Sequence, residues 1–162
     1  RPQEPTVQPS DYFPHVDLLL SAMRIDRARL NGRGKVAIDA RLLRRIVQAA
    51  VERLPFSADF YRRTYPDIAA AEASGQIPDL HRHYVETGYF EGRMGTAPAI
   101  DEARYAAAYA DVAEAIADGR IGSATEHYML SGAAEGRVPD AAQEADIAAW
   151  MSILRVPVMG EP

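Results

Sequence analysis

Two stretches of the chain are closely similar: "HYVETGYFEGR" at residues 83–93 and "HYMLSGAAEGR" at residues 127–137. Both begin with His-Tyr, carry a glycine five residues after the histidine and end in Glu-Gly-Arg. A shift of 44 residues, from position 83 to position 127, superposes them without a gap. Periods of about 20–50 residues are typical of stacked supersecondary units. The pair of stretches therefore predicts that one structural unit is built twice.

The same shift aligns residues far from the two stretches. Identical pairs are Tyr61 with Tyr105, Tyr65 with Tyr109, Asp67 with Asp111, Gly75 with Gly119 and Ile77 with Ile121. Where the letters differ, Ser57 meets Asp101 and Asp79 meets Ser123, and all four can cap a helix N-terminus. We predict three short helices per unit, over "FYRRTY" or "RYAAAY", over "PDIAAAEAS" or "ADVAEAIAD", and ending at "HYVET" or "HYMLS".

Glycine and capping positions support these helices. We expect a left-handed, helix-closing conformation at Gly75, Gly119, Gly88 and Gly132. In "EGR", Gly92 and Gly136 are expected to turn the chain after the third helix. The sequence from Ser123 to Glu126 fits a capping box.

The repeated arginines are predicted to form ion pairs. A guanidinium that follows a turn is able to reach back to a carboxylate with two parallel hydrogen bonds. The acids that recur with the arginines are the natural partners, which pairs Arg93 with Asp67 and Arg137 with Asp111.

The repeated histidines and tyrosines are interpreted as structural. An active site is usually built once, whereas residues that close a fold are needed in every copy. We expect His83 and His127 to be packed and to bond a helix end or loop. Tyrosines such as Tyr84 and Tyr128 are expected to fill junctions between helices, with their hydroxyls on polar partners.

Metal and cofactor sites are not predicted. His81 and His83 are two residues apart on a helix, so their side chains point in different directions and cannot share one ion. The chain has no cysteine, which excludes disulfides and thiolate ligands. "NGRGK" at residues 31–35 lacks the spacing and the following Ser or Thr of a phosphate loop. We predict a chain that is not an enzyme.

The flanking segments complete the predicted domain layout. Residues 1–13 are a proline-rich, disordered leader, residues 14–55 a basic helical hairpin, residues 56–95 and 100–139 the two units, and residues 140–162 a helix and a fraying tail. The predicted fold class is therefore all-α, with an N-terminal helical hairpin, two tandem three-helix repeats and a C-terminal amphipathic helix.

Apolar periodicity places the flanking helices. The first stripe is Val16, Leu19, Leu20, Met23 and Leu30, and the second is Leu42, Leu43, Ile46, Val47, Ala50 and Leu54. Asp39 is the expected N-cap of the second helix, and Pro55 its stop. In the last helix Ile147, Trp150, Met151 and Leu154 fall on one side.

Charge divides the chain. Residues 1–54 hold ten Lys and Arg against six Asp and Glu, whereas residues 55–162 hold eight against seventeen. A basic face that meets an acidic partner is the favoured interpretation. The predicted binding residues are Arg41, Arg44 and Arg45 on the hairpin and Trp150 on the last helix.

Length and hydropathy set limits on location. The 162 residues contain no apolar run near the ~20 residues that span a bilayer. The chain begins with Arg1 and lacks a signal-peptide pattern, so we expect a cytoplasmic protein or an exported fragment of a longer one.

The repeat has a family resemblance. The spelling Tyr-x-x-x-Tyr-Pro-Asp-Ile-Ala at residues 61–69, followed by His83-Tyr84, Gly88 and Glu91-Gly92-Arg93, resembles a module of bacterial surface-polysaccharide systems that occurs in tandem beside, or fused to, glycosyltransferases. It covers residues 56–139, and the second copy departs from it at Ala110, where the first has Pro66. The resemblance implies an accessory role beside a catalytic domain.

Three function hypotheses follow. The first is a non-catalytic interaction or scaffold module that binds protein, such as a glycosyltransferase or another component of an exopolysaccharide assembly. The second is carbohydrate binding by exposed tyrosines and acids in a groove between the units. The third is a nucleic-acid or membrane-surface regulator that acts through the hairpin arginines, with nucleic acid disfavoured because no DNA-reading motif is present. The hairpin is equally suited to form a homodimer seam.

Overall fold

The computed structural model of the chain describes residues 12–32 and 35–154, and every regular element in these ranges is a helix. The all-α prediction is confirmed. Most of the predicted leader (residues 1–11), part of the glycine-rich turn (residues 33–34) and the tail (residues 155–162) lie outside the described residues.

The described residues form ten α-helices and two short helices of other types. The α-helices are α1 (Val16–Met23), α2 (Arg27–Asn31), α3 (Ala40–Val51), α4 (Ala58–Thr64), α5 (Pro66–Ala73), α6 (Leu80–Glu86), α7 (Glu102–Ala108), α8 (Ala110–Ala117), α9 (Ala124–His127) and α10 (Glu144–Leu154). A 3₁₀ helix, Gly88–Glu91, follows α6, and a π-helical turn, Tyr128–Gly132, follows α9. We call residues 56–95 unit 1 and residues 100–139 unit 2.

The N-terminal segment differs from the predicted pair of helices. Its first apolar stripe is split, because α1 ends at Arg24, which adopts the left-handed conformation at φ 56°. Asp26 then starts a new helix, and its carboxylate accepts a hydrogen bond from the Arg29 backbone N–H at 2.7 Å. The prediction of a single long helix was wrong, because Asp26, a strong N-cap inside the apolar stripe, outweighs the apolar period.

Helix α3 begins where the sequence predicts and packs with a different face. Asp39 caps it, accepting from the backbone N–H groups of Arg41 and Leu42. Val51 is buried and Val47 packs against the same cluster, whereas Leu43, expected in the stripe, is 47% exposed. These valines lie against α6 of unit 1, so α3 is part of the unit 1 core rather than only of a hairpin.

Buried apolar side chains of the two units form separate clusters. In unit 1 the cluster is Val51, Tyr61, Ile68, Leu80, Tyr84 and Val85. In unit 2 it is Tyr105, Tyr109, Val112 and Ala124. The unit 2 cluster has smaller side chains, and its described members all belong to unit 2, while Met151 of α10 packs against Gly136 at the end of the unit.

Each unit is closed by the same backbone contact. The Ser57 N–H donates to the carbonyl of Gly95 at 2.8 Å, and the Asp101 N–H donates to the carbonyl of Pro139 at 3.1 Å. In both cases the second residue of the unit meets the last. The predicted caps are also present, since Ser57, Asp79, Asp101 and Ser123 each accept a backbone N–H bond at a helix start.

A tyrosine–histidine pair lies at the centre of each unit. The hydroxyl of Tyr61 is 3.1 Å from Nδ1 of His83, and that of Tyr105 is 3.1 Å from Nδ1 of His127. Both tyrosines are fully buried, and burial raises the pKa of Tyr61 to about 12. The histidines are packed as expected, but their partner is a tyrosine hydroxyl rather than a helix end.

The second tyrosine of each unit supports the closing arginine. The hydroxyl of Tyr65 accepts from the Met94 N–H at 2.8 Å, and that of Tyr109 accepts from the Val138 N–H at 2.8 Å. The Arg93 guanidinium lies 4.9 Å from the centre of the Tyr65 ring. In unit 2 the guanidinium-to-ring distance is 4.7 Å, within the range of a cation–π contact.

The expected ion pairs are present. Arg93 donates through both terminal nitrogens to the Asp67 carboxylate, at 3.0 and 2.7 Å, and Arg137 does the same to Asp111, at 2.9 and 2.7 Å. The third guanidinium nitrogen bonds the glutamate of the same Glu-Gly-Arg. These hydrogen bonds hold the pKa of both aspartates below the usual range. The guanidinium thereby joins the start of the second helix to the end of the unit.

Four of the six glycine predictions are confirmed. Gly75, Gly92, Gly119 and Gly136 have positive φ angles between 70° and 80°. Gly88 and Gly132 do not, because they lie inside the 3₁₀ helix and the π-helical turn. Glycine is required at these two positions by close approach, since a Cβ at either one would overlap the hydroxyl of the buried tyrosine, Tyr61 or Tyr105.

The predicted capping box at Ser123 is incomplete. The Ser123 hydroxyl accepts from the Glu126 N–H at 3.0 Å, which is one half of the motif. The Glu126 carboxylate accepts from the Gly122 N–H instead of from that of Ser123. The N–H groups of Ala124 and Thr125 donate to Glu102, so α7 contributes to this helix start.

We predict that Gly88→Ala lowers the free energy of unfolding by about 2–3 kcal/mol, because the new methyl group overpacks the site beside Tyr61. Gly75→Ala is the matched control, since its Cβ would meet open space and only the left-handed conformation costs about 1 kcal/mol. Chemical denaturation measures both. Adding Tyr61→Phe should recover part of the loss in Gly88→Ala, and no recovery would contradict the close approach.

The ion pairs predict coupled losses of stability. In double-mutant cycles, Asp111→Ala with Arg137→Ala should show a coupling of about 0.5 kcal/mol or more, and additive losses would show that the pair contributes nothing. The coupling should be smaller for Asp67 with Arg93, because the Arg93 side chain is 21% exposed against 7% for Arg137. Since the aspartate pKa values are lowered on folding, this stability is present above about pH 4 and lost below it.

Candidate functional site

A groove of about 560 Å³ lies between the two units. Unit 1 and the segment after it contribute Tyr84, Tyr89, Arg93, Met94 and Pro98. Unit 2 contributes Tyr128, Ala133 and Ala134, and Leu54 and Pro55, which follow α3, line one end. The volume is within the range of binding clefts in proteins.

The groove wall is largely apolar and aromatic. Tyr89 is 41% exposed and Leu54 is 48% exposed, so both present apolar surface to a ligand. Tyr84 is buried, and its ring packs edge-on against Tyr89 with centroids 6.3 Å apart. The wall therefore offers contact area for an apolar side chain.

The charged group in the groove is already neutralised. Arg93 lines the groove, but its guanidinium is held by Asp67 and Glu91 at 2.7–3.0 Å. Binding an anion there would compete with two carboxylates that the fold places on the same guanidinium. The arrangement favours an uncharged or apolar contact at this point.

Two of the five differences between the aligned stretches 83–93 and 127–137 place aromatic residues in unit 1 and alanines in unit 2, and three of these four residues line the groove. Unit 1 has Tyr89 and Phe90, whereas unit 2 has Ala133 and Ala134 at the corresponding positions. Identities between the two copies do not mark these residues as functional. The signal was a substitution inside a repeated stretch, from two aromatic residues to two alanines.

The predicted binding residues of α3 have different environments. Arg44 is committed to unit 1, since it donates to the Glu86 carbonyl at 2.6 Å and its guanidinium lies 3.8 Å from the centre of the Phe90 ring. Arg41 and Arg45 are exposed on the outer side of the helix, and Arg41 lies 3.5 Å from Asp39. The three arginines are therefore not one binding cluster.

Trp150 lies on α10 and is 62% exposed. Ile153 and Leu154 beside it are also exposed, whereas Ile147 and Met151 are half-buried. Helix α10 is tied to α7 by an ion pair between Glu144 and Arg104 at 2.7 Å. The helix begins at Glu144, inside the predicted segment 140–162, and two of its four expected apolar residues, Trp150 and Leu154, are exposed.

Other candidate sites are less developed. A hollow of about 320 Å³ lies beside α1 and α2, lined by Met23, Ile25 and Val36. Nε2 of His81 is buried without a hydrogen-bond partner, while its ring packs on Phe56.

Within residues 12–32 and 35–154 no three His, Asp or Glu side chains are grouped so as to hold a metal ion. None of the described helices has both the length and the hydropathy needed to cross a bilayer.

We predict that Arg44→Ala loosens α3 while leaving the two units folded. Loss of the bond to Glu86 and of the contact with Phe90 should lower the stability of α3 by about 1–2 kcal/mol. Hydrogen exchange of the α3 backbone measures this, with Arg45→Ala as the matched control. Equal protection in the two variants would contradict a bridging role for Arg44.

Comparison with protein-family models, with curated protein sequences and with solved structures finds no match to this chain.

Proposed function

We propose that this chain is a non-catalytic interaction module that binds a protein partner in the groove between its two units. The proposed organisation is a basic N-terminal helical segment, two tandem three-helix units and a C-terminal helix. From the resemblance of the repeat, the partner belongs to a bacterial exopolysaccharide assembly, with a glycosyltransferase as the first candidate, and the cytoplasm is the proposed location.

The observation that supports the proposal is that repeated and unrepeated residues lie in different places. Repeated polar residues bond inside the units, and most of the exposed groove residues are not repeated. The repeated polar residues bond one another inside each unit: Tyr61 with His83, Arg93 with Asp67, and their counterparts in unit 2. Apart from Gly92, the exposed residues that line the groove differ between the units, Tyr89 and Ala133 among them. Function is therefore expected at the positions that the fold does not use.

A protein partner fits the groove better than a sugar. Its wall is mainly apolar, and its one guanidinium is already paired. Carbohydrate binding remains the second candidate because Tyr89 presents an exposed aromatic ring at the groove, which suits stacking on a sugar. The other groove tyrosines, Tyr84 and Tyr128, are buried or half-buried and offer less of their ring faces.

Site-specific crosslinking tests the proposal. A photoreactive amino acid replaces Ala133, which is exposed and lines the groove, and the chain is expressed in its native host. We expect one protein to be crosslinked from position 133 and not from Ala108, an exposed alanine at the end of α7.

Two outcomes would contradict a protein-binding groove. Equal crosslinking from positions 133 and 108 would show that contacts are non-specific. Retention of the chain on the host polysaccharide, lost in Tyr89→Ala and combined with no protein crosslink, would assign the groove to carbohydrate.

A further inference from the structure

In unit 1, part of the apolar core is covered by a helix that precedes the unit. Helix α3 lays Val47 and Val51 on the unit 1 cluster, and Val51 is 2% exposed. Arg44, on the adjoining turn, donates to the Glu86 carbonyl and stacks on Phe90. A basic amphipathic helix thus covers the end of α6 and the 3₁₀ helix after it.

The equivalent surface of unit 2 is uncovered in the described chain. A shift of 44 residues carries Tyr84, Glu86 and Phe90 to Tyr128, Leu130 and Ala134. Tyr128 and Ala134 line the groove, and Leu130 is 73% exposed. Unit 2 therefore has the surface on which a helix rests in unit 1, with an exposed leucine added to it.

Among residues 12–32 and 35–154, the segment that the shift places at the position of α3 does not supply this cover. The same shift carries Arg44 and Val51 of α3 to Gly88 and Gly95, which have no side chains to place on unit 2. Both glycines are buried within unit 1, one against Tyr61 and the other against Tyr84. The groove lies beside unit 2, where glycines stand at the positions that correspond to Arg44 and Val51.

Charge indicates what kind of helix fits. Helix α3 carries three arginines and no acidic residue, and it covers unit 1, which holds six acidic and four basic residues. Unit 2 is more acidic, with seven acidic and three basic residues. The formal charge is therefore −4 for unit 2 and −2 for unit 1, which attracts a basic helix to unit 2 from a distance, whereas none of the residues that line the groove is acidic.

We propose that the surface of unit 2 formed by the groove residues Tyr128, Ala133 and Ala134, together with the neighbouring exposed Leu130, docks a basic amphipathic helix of a partner protein. The helix presents apolar residues four positions apart, as Val47 and Val51 do, and an arginine on the preceding turn. This inference rests on the proposed function, since it names the class of protein segment that the groove accepts.

The α3 sequence provides the probe. A fluorescently labelled, capped peptide of residues 39–55 is titrated with the full chain, and anisotropy reports binding. Ala133→Arg should weaken binding about tenfold or more through bulk and like charge in the groove. The control Ala108→Arg makes the same change on α7 and should leave the affinity unchanged.

A gain of affinity is also expected. Ala134→Phe gives unit 2 the residue on which Arg44 stacks in unit 1, and should tighten peptide binding about threefold. A peptide with Arg44→Ala should show no such gain. Because Ala134 is exposed, the substitution adds a ring at the surface and leaves the core of unit 2 unchanged.

Several results would overturn the proposal. Failure of the peptide to bind, or binding that ignores Ala133→Arg, would remove unit 2 as the docking surface. Self-association of the chain that is lost in Leu130→Asp would give the face to α3 of a second copy. Crosslinking of a partner from position 133 without peptide binding would leave the interaction module intact and reject only the basic helix.

Discussion

The forked contact between an arginine and an aspartate is the constraint on which each unit depends. Arg137 reaches from the last turn of unit 2 to Asp111 at the start of α8, and lies over Tyr109 between them. Its side chain is only 7% exposed, so its charge needs the carboxylates around it. Tyr109 in turn accepts the N–H of Val138, which sets the direction in which the chain leaves the unit. One guanidinium therefore fixes the second helix, the closing turn and the exit path together.

The same constraint explains why the repeated residues say little about binding. A side chain whose hydrogen-bonding groups are already bonded within the fold has few groups left for a ligand. Arg93 and His83 illustrate this, since the first holds two carboxylates and the second meets the Tyr61 hydroxyl. Most of the exposed residues in the groove wall, by contrast, differ between the two copies, and Tyr89 against Ala133 is the clearest difference.

Much of the local structure was predictable from the sequence. Helix caps such as Asp39 and the turn at Gly92 follow from local chemistry, and the Asp67–Arg93 pair followed from joint recurrence. Gly88 was misread because a buried tyrosine 27 positions earlier, Tyr61, sets its requirement, and no local pattern records that approach. The role of Arg44 was missed for the same reason, since its partners Glu86 and Phe90 are distant in sequence. The groove arises from the placement of whole units and has no local signature.

Separate closure gives the units a modular character. Each unit has its own buried cluster and its own bond between its second and last residues, Ser57 with Gly95 and Asp101 with Pro139. None of these bonds crosses from one unit to the other. A copy of the 44-residue segment inserted between them would thus bring its own closing contacts and break none of those already formed. Duplication of such a segment lengthens the protein without a redesign of its interior, and each added copy is free to vary its outer residues.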